Sequence, residues 1–122
     1  MNGVCYEGIG AVVVTMNTNE DIAPGTLVNM GPHDMVYVCE DGAEFCGVVR
    51  GSRFHKVQVQ FQGPVRVKCK DGAPVGWQML VADGEGGVRE ATQNDEGVWE
   101  ANARKVLVLQ NGYWDNHVVI WL

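Results

Sequence analysis

An all-β fold is predicted by three observations. Val outnumbers Leu by 21 to 5, glycines gather in turn dipeptides, and no segment carries a sustained 3.6-residue apolar period. Branching at Cβ suits the pleated strand and slightly disfavours the helix, so the valine excess is a strand signal. The pairs Asn2-Gly3, Asp41-Gly42, Asp71-Gly72, Asp83-Gly84 and Asn111-Gly112 have the chemistry of hairpin turns. Val-rich runs cut at short intervals by such turns predict a single small β-barrel or β-sandwich of short antiparallel strands. A chain of 122 residues fits one domain. Burying roughly two-thirds of the unfolded surface gives it a core that needs neither disulfide nor metal.

The elements follow in order. Residues 1–10 alternate weakly, carry three glycines, and are expected to be an N-terminal arm or edge strand; residues 11–122 form the β-barrel domain. A first firm strand is predicted from Ala11 to Met16, followed by a polar loop through Asn17, Asn19, Glu20 and Asp21. Pro24-Gly25 turns the chain into a short strand, Thr26 to Met30, which Gly31-Pro32 breaks. A hairpin of Met35 to Glu40 with Ala43 to Val49 is expected around Asp41-Gly42. Further strands are read at Lys56 to Gln62, Val65 to Lys70, Gln78 to Ala82, Val88 to Thr92, Arg104 to Gln110 and His117 to Leu122. Residues 93–103 show no clear period, and one helical turn around Trp99 is the only helical expectation.

The alternation is clearest around Gly63. Val57, Val59 and Phe61 alternate with glutamines, and Val65, Val67 and Cys69 alternate with Arg66, Lys68 and Lys70. A two-residue loop would set apolar residues opposite polar ones. An odd-length loop pairs Phe61 with Val65, Val59 with Val67 and Val57 with Cys69, because a one-residue slip flips every side chain. The expected product is a two-stranded ribbon with one apolar face and one face of Gln, Lys and Arg.

That second face carries an electrostatic imbalance. The net charge is −6, yet Arg50, Arg53, Lys56, Arg66, Lys68 and Lys70 stand in one segment without Asp or Glu. They form either a docking face for an acidic partner or a solvated edge that discourages aggregation. Trp77 and Trp114 border turns and are the better exposed aromatic candidates, whereas Trp121 lies in a strand apolar on both faces and is expected in the core. The first basic residue is Arg50 and the apolar runs are short, so neither a secretory signal nor a membrane span is expected. Cys5, Cys39, Cys46 and Cys69 form no CxxC pair, and reduced, packed thiols in a cytosolic setting are the favoured reading.

No residue set points to catalysis. His33, His55 and His117 lack a second ligand at metal-like spacing. Gly84-Glu85-Gly86-Gly87 is not followed by a helix that could supply a phosphate-binding N-terminus, so it reads as a turn. Asp83 and Glu85 offer too few oxygens for Ca²⁺, and Ser52, the one serine, lacks a nucleophile-elbow context. A non-enzymatic binding protein without cofactor is expected.

The succession Gly25-Thr26-Leu27-Val28, Phe45-Cys46-Gly47-Val48-Val49, Val57 through Val67 and Gly76-Trp77-Gln78-Met79-Leu80-Val81-Ala82-Asp83-Gly84, closed by His117-Val118-Val119-Ile120-Trp121-Leu122, resembles the small capsid decoration, or cement, proteins of tailed bacteriophages. The likeness covers most of residues 24–122. It implies a β-tulip-like barrel that binds the outside of the major capsid protein shell, often as a trimer, and stabilises the virion head. It also implies assembly in the host cytoplasm and a place on the capsid surface. Arg50, Arg53, Lys56, Arg66, Lys68, Lys70, Trp77 and Trp114 are the candidate partner-binding residues. Two alternatives stand beside this reading. One is a nucleic-acid-binding small barrel stacking bases on Phe61 or Phe54, which the acidic total disfavours. The other is a glycan- or receptor-binding phage module that uses Trp77 and Trp114.

Overall fold

The computed structural model describes residues 10–122, in which ten strands and one short 3-10 turn (Pro32–Asp34) are found. The strands are β1 (Val12–Asn17), β2 (Leu27–Met30), β3 (Val36–Val38), β4 (Gly47–Arg53), β5 (Lys56–Gln62), β6 (Pro64–Lys68), β7 (Gly76–Ala82), β8 (Val88–Glu90), β9 (Arg104–Gln110) and β10 (His117–Trp121). They form two antiparallel five-stranded sheets, ordered β1-β5-β4-β2-β3 and β6-β10-β9-β7-β8. The all-β prediction therefore holds. No closed barrel is found among the described residues; the edges of the first sheet touch at one parallel bridge, Asn17 to Met35. The expected arm, with Cys5 and Asn2-Gly3, lies outside the described residues except for Gly10.

Burial explains why the strands take these places. Alternating residues of the second sheet, among them Val67, Leu80, Val106, Val108, Val118 and Ile120, meet Leu27, Phe45 and Val48 in a shared core between the sheets. The first sheet has a second core on its other side, built from Val28, Val36, Val49, Val57 and Val59 and sealed by Ile22 from the β1–β2 connection. Leu27-Val28 and Val48-Val49 are therefore buried as doublets, one residue toward each core. Such unbroken apolar pairs mark strands covered on both faces. The connection that carries Ile22 is pinned locally. Thr18 Oγ1 donates to the Val36 carbonyl (3.0 Å), and Glu20 Oε2 accepts from the Val38 amide (2.9 Å).

Two expected hairpins are not formed. β3 and β4 do not pair with each other, because β2 lies between them and bonds to both. The ribbon around Gly63 is also absent. β5 pairs with β1 and β4, while β6 pairs with β10. The alternation holds in both strands, but adjacency in sequence does not give the partner. Val57 and Val59 enter the second core, and Val65 and Val67 enter the shared one. At the crossover, Gly63 has φ +94 and exchanges backbone hydrogen bonds with Leu122 (3.4 and 3.0 Å). Gln60, expected on the polar face, is buried opposite Val48. Its Nε2 donates to the carbonyls of Gln62 (2.9 Å) and Pro64 (2.8 Å), satisfying acceptors where the chain leaves one sheet for the other.

Residues 93–99 form a small hairpin tip and not the helical turn expected around Trp99. Gln93 bridges Trp99, and the Asn94 side chain accepts from the amides of Glu96 and Val98 (2.9 and 3.0 Å). An Asx-type turn of this kind competes directly with a helix start. The base of this excursion is held by Arg89. Its guanidinium forms a fork with Glu100 (2.8 Å to each oxygen) and a single contact with Asp41 (3.1 Å).

That arrangement gives a pH-dependent prediction. The Arg89 fork, followed by hydrogen bonds from Thr92, holds the Glu100 carboxyl down to about 2 from its usual 4.5. A carboxyl lowered on folding stabilises the fold above its unfolded value and loses that contribution as pH falls to its folded value. The Glu100 contribution is thus complete at neutral pH and is lost between about 4.5 and about 2. Thermal melts across this window should show a smaller fall in midpoint for Glu100→Gln than for the wild type. Equal falls would exclude a role for the fork in acid sensitivity.

The described cysteines, Cys39, Cys46 and Cys69, are free. Cys39 Sγ donates to the Glu44 carbonyl (3.4 Å) and Cys46 Sγ to the Val28 carbonyl (3.6 Å). Burial, then the neighbouring Cys46, pushes the Cys39 thiol up to about 12. Burial, then the carboxylates of Asp83, Glu90 and Asp71, pushes Cys69 up to about 11. Since the thiolate is the nucleophile, alkylation at pH 8 should leave Cys39 and Cys69 unmodified in the native protein and label them in denaturant. Rapid native labelling of either, read by mass spectrometry, would contradict their packing.

Candidate functional site

The six basic residues of segment 50–70 are divided by the crossover into separate places. Arg53 and Lys56 face each other across the β4–β5 ladder, at the end where Phe54 and His55 form the turn. The Phe54 ring is 87% exposed and meets His55 edge-on at 4.2 Å between centroids. Lys56 Nζ donates to Asn17 Oδ1 (2.9 Å), tying this tip to β1.

Arg50 and Arg66 lie in a different place. They belong to different sheets and line one groove, together with Gly25, Val49, Pro64 and His117. Arg66 pairs with Asp115 at 2.7 Å, with both side chains about half exposed. Lys68 is half-buried on β6, and Lys70 is exposed in the following turn. The expected continuous basic face is therefore replaced by a tip, a groove and a turn.

The aromatic candidates also separate. Trp114 is 98% exposed in the β9–β10 loop, beside half-exposed Tyr113. Trp77 projects from the outer face of the second sheet, 63% exposed, with Lys105 Nζ 5.5 Å from its ring centroid. The register places Leu107 opposite both Trp77 and Trp121, so the three form one row across β7, β9 and β10. Trp121, expected in the core, is 42% exposed. Its strand reads as apolar on both faces because only Val118 and Ile120 point inward, while the face that carries Trp121 is itself apolar. Half-buried Met79, Leu109 and Val119 extend the apolar character of this sheet.

The remaining motifs are structural. Asp83 Oδ1 accepts from the amides of Glu85 (2.7 Å) and Gly87 (3.0 Å), so the glycine-rich stretch is a turn closed on its own carboxylate. Among the described residues, no three His, Cys, Asp or Glu side chains are grouped closely enough to hold a metal ion. No helix there is long and apolar enough to cross a membrane. No protein-family model matches the chain, and comparison with curated proteins and with solved structures finds no match.

Proposed function

We propose that this chain is a decoration, or cement, protein that binds the outside of a tailed-phage capsid and stabilises the shell, without catalysis or cofactor. The observation that carries the reading is the outward row Trp77–Leu107–Trp121 on the second sheet. Contiguous exposed apolar surface of this kind marks interaction sites, and aromatic residues and Met are enriched in interface cores. The cations at the sheet seam and the β4–β5 tip would steer an acidic shell toward a domain that is otherwise acidic. In this reading the partner is the major capsid protein, the domain is a β-tulip-like barrel assembled as a trimer, and its place is the virion surface. The Asn17–Met35 bridge, which brings the edges of the first sheet together, supports the barrel description.

The test is cosedimentation with empty capsids from the same source. Wild-type protein should pellet with the shell. Trp77→Ala, a substitution at an exposed position that should shift stability by under about 0.5 kcal/mol, should lose most of its occupancy. Folded wild-type protein that stays in the supernatant would end the proposal. The nucleic-acid reading is favoured by one feature, the bare Phe54 ring between Arg53 and Lys56, which has the form of a base-stacking platform. Salt-sensitive oligonucleotide binding that Phe54→Ala abolishes would select it.

A further inference from the structure

We infer that the groove between the sheets is a carboxylate-binding site for an acidic segment of the docking partner, with Arg50 and Arg66 as its paired cations. It deepens the docking proposal and rests on it for the partner's identity. The groove measures about 410 Å³, near the small end of ligand sites and suited to a side chain or two.

The sequence assembles it in a specific way. Val49 pairs with Val59 and Gly51 with Gln58, so Arg50 is the extra residue of a β-bulge. Bulges re-aim side chains, and this one leaves Arg50 exposed and lining the groove. Among the described residues Arg50 has no ion-pair partner. Across the groove Arg66 gives one terminal nitrogen to Asp115. A guanidinium carries five N–H donors, so Arg66 keeps donors for a second carboxylate.

His117 lies beside Arg66 in the groove and reports on its occupancy without donating to the anion. Its Nδ1 lies 2.9 Å from the Asp115 carbonyl, an acceptor, so Nδ1 carries the hydrogen there. The other ring nitrogen is on the Gly25 side, 3.7 Å from where a Cβ on that glycine would stand. Val49, Gln60, Val65 and the two prolines complete the walls with Gly25. Proline has no amide hydrogen to offer, and the Gln60 amide hydrogens are taken by the Gln62 and Pro64 carbonyls, so the arginines are the anion donors. The rest of the molecule is net acidic and repels such a partner, which concentrates attraction at this seam. Asp115 then acts as a built-in competitor that holds part of Arg66.

The experiment titrates the whole chain with a hexaglutamate peptide and, separately, with inorganic phosphate at low ionic strength. It follows the arginine Nε–H and histidine ring signals by NMR. Saturable shifts are expected at Arg50, Arg66 and His117 with the peptide. Arg50→Gln should weaken binding about tenfold, the loss of one charge-assisted contact. Asp115→Asn should strengthen it, because Arg66 is released; a merely structural Arg66–Asp115 pair predicts no gain. Saturation by phosphate but not peptide, shifts of equal size at Arg53 and His55, or weaker binding by Asp115→Asn would each overturn the inference. The capsid assay separates the two proposals. Wild-type capsid occupancy by Arg50→Gln removes the groove and leaves docking standing. Peptide binding without capsid binding does the reverse.

Discussion

Gly63→Ala is expected to destabilise the protein by about 2 to 6 kcal/mol, among the largest effects available to a single methyl group. Two costs combine. At φ +94 an L-residue is strained, by about 1–3 kcal/mol. A Cβ there would also stand 2.8 Å from the Gly10 carbonyl oxygen and 3.0 Å from the Ala11 Cα. Both neighbours are backbone and cannot rotate away, so overpacking adds about 1–3 kcal/mol more. Gly42→Ala isolates the first cost, because Gly42 also has positive φ (+75) but nothing within 4 Å of its would-be Cβ. Urea denaturation of the pair should show a clear gap between them. Equal midpoints would mean that the close approach at the crossover carries no energy.

Ile22→Ala should cost about 2–5 kcal/mol, the range for a buried aliphatic side chain in a core, although Ile22 sits in a connection and not in a strand. It is 1% exposed and closes the second core beneath Val28, Val36, Val49, Val57 and Val59. Ile22→Val should cost only about 0.5–1.5 kcal/mol. Val75→Ala, at an exposed apolar position, should lie within about 0.5 kcal/mol of wild type. A loss below about 1 kcal/mol for Ile22→Ala would show that the connection rests on the sheet without filling it.

The strands were legible because their signals are local. Valine runs and glycine turns locate most strands from residue 11 onward to within one or two residues, and Lys56–Gln62 and Arg104–Gln110 to the residue, whereas the strand expected at Ala43–Val49 is shifted by four, to Gly47–Arg53. Strand partners were not legible, since the same alternation is satisfied by burial against any sheet. Phe61 next to Gly63-Pro64 reads as a hairpin end, and only the distant β1 and β10 show that the chain crosses over. The doublets Leu27-Val28 and Val48-Val49 were the available sign of a sheet covered on two sides. Ile22, flanked by Asp21 and Ala23, gave no periodic sign of its role. In the candidate site, the turn-bordering positions of Trp77 and Trp114 make their exposure legible. Trp121 was missed because an apolar outer face looks like a core face in sequence. The pairing of Arg50 with Arg66 depends on a bulge and a crossover, neither of which leaves a pattern in composition.

The division at Gly63 also sets an order of events in folding. Every member of the second core lies between Met16 and Phe61, so the first sheet and its own interior are complete within the first half of the chain. The second sheet lies wholly after Gly63, and its interior is closed by Leu27, Cys39, Phe45 and Val48 from the first half. During synthesis, which proceeds from the N-terminus, the leading half can collapse before the trailing half exists. The trailing half arrives to find its template already made. Reversing the two halves by circular permutation would remove that advantage: the sheet that depends on a template would emerge first, with its apolar inner face exposed while it waits.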